Sequence, residues 1–120
     1  MANPTNLAAY GMIPMRQLRW SPGEKAAARR AFDGALRREL DAVMREAKER
    51  AARIETPSEL WELEEWLTRH RLEIDRKYDY RYSALPLVFA VLFREGRLTE
   101  DDLVGLGQDK LERIRRGAVL

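Results

Sequence analysis

His70 is the only histidine in the chain, and cysteine is absent. Disulfide frameworks, thiolate zinc sites and thiol nucleophiles are therefore excluded at the outset. His70 and Glu73 form a His-x-x-Glu pair, but no second histidine completes a zinc or di-iron set, so we expect neither metal nor cofactor. Glu59, Glu62, Glu64 and Glu65 could be cast as an acid/base pair. A linear helix offers them no pocket that would raise a pKa, and in a chain that is 35% charged they read as a solvated face. Gly105-x-Gly107 follows no strand and lacks the lysine–serine pair of a phosphate loop. No set of residues supports covalent chemistry, and the chain is not expected to be an enzyme.

Arginine supplies 18 of the 22 basic side chains. Arg29-Arg30, Arg37-Arg38 and Arg45 fall a turn or two apart, as a phosphate-tracking face would require. Asp33, Glu39, Asp41, Glu46 and Glu49 are interleaved with them, which marks intrahelical pairing instead. With a net charge of only +2, no nucleic-acid partner is expected.

These residues are carried by helices. Ser21-Pro22-Gly23-Glu24 is a capping box with proline at the first helical position. Behind it Phe32, Leu36, Leu40, Val43, Ala47, Ala51 and Ile54 recur at steps of three and four, predicting one helix from Pro22 to Ile54. Thr56-Pro57-Ser58-Glu59 repeats the start signal. It opens a second helix with the stripe Leu60, Leu63, Leu67, Ile74 and Tyr78, running to about Tyr80. Leu85–Phe93 is apolar all round, predicting a short, fully buried helix stopped by Gly96. A very short helix begins at Thr99, and another covers Gln108–Arg116. Alternation of polar and apolar residues never persists, so the fold class is all-α.

Length sets the architecture. A helix from Pro22 to Ile54 is about 50 Å long, whereas a compact chain of this size has a radius of gyration near 14 Å. Such a helix cannot be covered by its own chain, and a second copy is the simplest partner. The expectation is a homodimer: an irregular or disordered arm over 1–19, an elongated two-long-helix stem over 20–82 and a small helical head over 83–120. The start lacks a basic region followed by an apolar run, and the longest apolar run, Ala84–Phe93, is about half of what a bilayer requires. A cytoplasmic protein with no membrane insertion is expected.

On the second helix Arg71 falls about 20° from the centre of the apolar stripe and Glu64 about 40°. Either the stripe widens there and Arg71 lays its methylenes along it, or the two are paired in trans across a dimer seam, where fixing register is the best-attested role of such a pair. Trp61, Glu65 and Leu72 form a second strip beside them, suited either to partner contact or to packing on the first helix.

Trp20-Ser21-Pro22-Gly23-Glu24, Arg38-Glu39-Leu40 and Leu60-Trp61-Glu62-Leu63-Glu64-Glu65-Trp66-Leu67 occur in order. Arg71-Leu72-Glu73-Ile74-Asp75-Arg76-Lys77-Tyr78-Asp79-Tyr80-Arg81 follows, then Val88-Phe89-Ala90, Glu95-Gly96 and Asp109-Lys110-Leu111. Over about residues 20–116 this series resembles the fluorescence recovery protein family of cyanobacteria. The resemblance implies an all-helical fold with a dimerising stem and a small head. It also implies a regulator that binds the photoactivated orange carotenoid protein, chiefly its C-terminal domain, and speeds its return to the resting orange form. It places the stem contact residues at Trp61, Glu65 and Arg71, with Glu64 and Leu72 beside them. The head contacts fall at Leu87 and Arg113, near Phe89 and Lys110. Glu64 stands where the family has histidine, Glu65 where aspartate is expected, and Leu87 where an aromatic is expected. Those departures keep a second reading open: a helical dimeric adaptor with an unrelated protein partner in an organism lacking phycobilisomes.

Overall fold

The structure is a computed structural model that describes residues 18–119. The arm expected over 1–19 lies outside the described residues except for Leu18 and Arg19. Four helices follow: α1 (Pro22–Ala52), α2 (Pro57–Lys77), α3 (Leu85–Arg94) and α4 (Gln108–Ala118), with a single 3-10 turn at Asp101–Leu103 between α3 and α4. The fold is all-α.

Both helix starts form as their residues dictate. Ser21 Oγ accepts from the Glu24 amide at 3.1 Å and the Glu24 carboxylate accepts from the Ser21 amide at 3.0 Å. Thr56 Oγ1 accepts from the Glu59 amide at 3.3 Å. The ends differ from expectation. α1 stops at Ala52 rather than Ile54, and α2 stops at Lys77 rather than near Tyr80. The second difference has a tertiary cause. The rings of Tyr78 and Tyr80 both meet Phe32 edge-on, at 5.4 and 4.8 Å between centroids. Residues two apart on a helix point to nearly opposite sides, so only a non-helical backbone lets both rings reach one partner.

α2 folds back along α1. Near the tip the Arg50 guanidinium lies over the Trp66 ring at 4.6 Å, and at the base Lys77 Nζ meets the Glu39 carboxylate at 2.8 Å. The molecule measures 64 × 32 × 21 Å with a radius of gyration of 18.4 Å, well above the roughly 14 Å of a compact chain of this length.

The hydrophobic core sits at one end. Leu85, Phe89, Leu92, Leu98, Leu103 and Ile114 pack against Ala27, Ala28, Ala31, Phe32 and Ala35 of α1. The core thus crosses the boundary expected at residues 82–83, because the first half of α1 is part of the head. Alanines on that face let the turn after the 3-10 segment approach closely. At Gly105, whose φ is +105°, a Cβ would lie 2.8 Å from Ala27 Cβ, so glycine is required twice over. α3 is not buried all round as expected: Leu87 is 53% exposed.

Charged side chains tie α1 to the head on both flanks. Arg38 forms a two-pronged bridge to Asp102, each contact 2.9 Å, and donates to the Arg97 carbonyl at 2.7 Å. Lys110 is buried among Glu24, Asp109 and the carbonyl of Arg19. Burial pushes the Glu24 carboxyl up. The amides of Ser21 and Gly107 and the ammonium of Lys110 outweigh that effect and hold it below the ordinary carboxylate range.

Candidate interaction surface

Between α1 and α2 runs a groove of about 760 Å³, walled by Leu36, Leu40 and Val43 on one side and Leu67, Arg71 and Ile74 on the other. Leu40 and Leu67 are about 40% exposed, and Met44 and Leu60 nearer half. A row of large apolar side chains left open to water is the ordinary mark of an interaction surface. The α2 stripe legible in the sequence therefore closes on α1 only at its base, where Ile74 is buried and Tyr78 meets Phe32; Leu67 faces the groove and Leu60 the solvent.

Four of the five expected stem residues fall on two faces, with Glu64 beside Glu65 and Leu72 and apart from Arg71. Glu64, Glu65 and Leu72 line one shallow depression on the outer side of α2. Arg71 is exposed and stands on the wall of the apolar groove. Trp61 lines neither and is 62% exposed. Thr68 contributes to both faces and donates its hydroxyl to Glu64 at 3.0 Å. Trp61 does not pack on α1; Trp66 takes that place, 6% exposed, with its ring 4.3 Å from the His70 imidazole.

In the head, two expected contact residues are interior. Phe89 is fully buried in the core, since it lies on the α3 face that meets α1 and α4. Lys110 is 3% exposed and its ammonium is fully committed to internal partners. Neither can meet a partner without unfolding the head. Leu87 projects from α3 into solvent. Arg113 is half-buried, and its Nη2 is buried with no hydrogen-bond partner among the described residues.

The groove ends at a cluster that the sequence reading did not single out. Glu39 is only 6% exposed; it accepts from Lys77 Nζ at 2.8 Å and Tyr78 OH at 2.8 Å, and Arg97 Nε lies 3.1 Å away as an ion-pair partner. Glu95 accepts from Lys77 at 2.8 Å and Arg97 at 3.3 Å. Burial pushes the Glu39 carboxyl up, but the hydrogen bonds and charges of its partners hold it below the ordinary range. Burial, together with the bond to Glu39, pushes the Tyr78 hydroxyl well above its ordinary value. The signal was available: Glu39 follows Phe32 and Leu36 by seven and three residues and so lies on the α1 stripe.

The sequence model described as photoprotection regulator fluorescence recovery protein matches residues 20–118. The chain belongs to the fluorescence recovery protein family. It is 36% identical over 104 residues to the fluorescence recovery protein of Synechocystis sp., covering 87% of this chain and 95% of that protein. The solved fluorescence recovery protein of Fremyella diplosiphon superposes with a TM-score of 0.81 at 40% identity, covering 85% of this chain and all of that one. The solved Synechocystis protein gives the same TM-score and coverage at 37% identity. The family is one of photoprotection regulators. Among the described residues no helix is long and apolar enough to cross a membrane.

Proposed function

We propose that this fluorescence recovery protein family member binds the photoactivated orange carotenoid protein, mainly through that partner's C-terminal domain, and accelerates its return to the resting orange state. The observation that carries the reading is the family match over residues 20–118, together with fold agreement at a TM-score of 0.81. The action is catalysis of a conformational relaxation and needs no covalent step. The binder must hold the transition state or a compact intermediate more tightly than the activated ground state. The stem surfaces around Trp61, Glu65 and Arg71 and the exposed Leu87 on the head are the contacts we assign to it, with Arg113 beside them.

The working form is a homodimer in the cytoplasm. The groove with its open leucines supports this, because a second stem is the nearest surface able to cover it. Adding the protein to photoactivated orange carotenoid protein and following the red-to-orange absorbance decay tests the function. A decay that speeds up in proportion to added protein is expected. An unchanged decay at excess protein would reject this partner and favour the dimeric adaptor.

A further inference from the structure

We propose that the Glu39 cluster is a spacer latch that sets the width of the groove between α1 and α2. The inference rests on this chain's own geometry, independent of the partner. Apolar walls in water attract each other, so burial favours closing α2 onto α1 until the axes reach the roughly 8–10 Å of packed helices. Toward both ends of the stem, long side chains from the two helices meet at their tips. At the far end these are Arg50 and the buried Trp66. At the base, Glu39 on α1 is met by the terminal atoms of Lys77 and Tyr78, and Tyr78 itself lines the groove.

The base differs from the tip in being tied to a third element. Glu95 and Arg97, in the turn after α3, complete a ring of two acids and two cations around the end of α2. The formal charges of Glu39, Glu95, Lys77 and Arg97 cancel. Glu39 is the buried member, so removing it leaves the partly buried Lys77 and Arg97 without their shared acid and weakens the set as a whole. Closing the latch therefore fixes the direction in which α2 leaves the head; opening it frees α2 to settle against α1 or to swing away.

The absence of native cysteine makes the test direct. Lys48→Cys on α1 and Arg69→Cys on α2, both exposed and outside the groove, carry two spin labels, diluted with excess unlabelled chain. Pulsed dipolar spectroscopy then reads the distance within one protomer, at a concentration where light scattering gives every sample the same oligomeric state. Glu39→Gln should shift the main peak or at least double its width while helicity is retained. Arg38→Ala, which breaks the other bridge from α1 to the head, should leave the distribution unchanged. If Glu39→Gln fails to fold, Lys77→Met serves and should shift or broaden the peak likewise, since it removes the α2 member of the latch while Glu39 keeps its bond from Tyr78 and its ion pair with Arg97. An unchanged distribution with only a lowered melting temperature would overturn the latch and leave a merely stabilising cluster. An equal shift in Arg38→Ala would overturn it too.

Discussion

Head and stem bury their apolar residues in opposite ways. In the head, Leu85, Phe89, Leu92 and Ile114 are wholly enclosed by their own chain, and the small faces of Ala27, Ala31 and Gly105 bring the layers into contact. In the stem, Leu40 of α1 and Leu67 of α2 stay partly open along a groove, and Leu60 of α2 is nearly half exposed. The same periodic pattern thus means a finished core in one region and an unfinished one in the other. The head encloses its own apolar residues; the stem leaves an apolar groove open.

The largest expected contrast comes from cutting the same kind of side chain in each region. Phe89→Ala should cost about 3–5 kcal/mol in denaturant unfolding, because the head cannot collapse around the cavity. Trp61→Ala, removing a side chain of larger size that is mostly in water, should stay within about 0.5 kcal/mol. Equal losses would erase the distinction between the regions.

Acid should act on the ties between α1 and the head before it acts on the groove. Glu24, Glu39 and Asp102 all have folded-state pKa values below their ordinary ones; for Asp102 the main cause is the hydrogen bond from Arg38. Groups depressed in this way add stability above their unfolded pKa and lose it as pH falls through the folded one. The melting temperature should therefore hold from pH 7 to about 5 and decline below about 4. Tyr78 is raised, so its contribution is present below its ordinary value of 10.0 and fades as pH climbs beyond it. A melting temperature that rose on acidification from pH 5 to 3 would contradict the assignment of these ties.

The elements were legible to the extent that their signals were local. The capping residues Ser21, Glu24, Thr56 and Glu59 act within one turn, and both long helices begin where those residues stand. The end of α2 was not legible, because Tyr78 and Tyr80 leave the helix to reach Phe32, almost fifty residues earlier. The share of α1 in the head was hidden for another reason: alanines bury little area and barely register in a hydropathy pattern. On α3, where nearly every residue is apolar, periodicity could not say that Phe89 points inward and Leu87 outward. Arg71 drew attention as a charge on an apolar stripe, but it stands exposed on the groove wall. The same anomaly at Glu39, whose own side chain is buried, marks the interior cluster.

Sedimentation of the wild-type chain and Leu67→Glu across a concentration series tests the unfinished stem most directly. The wild type should run as an elongated dimer of about 28 kDa, twice the chain mass of 14.0 kDa. Leu67→Glu sets a charge among the groove leucines and should run as a monomer at micromolar concentration, its head melting unchanged. A monomeric wild type, or a Leu67→Glu variant that dimerises as well as its parent, would contradict the account.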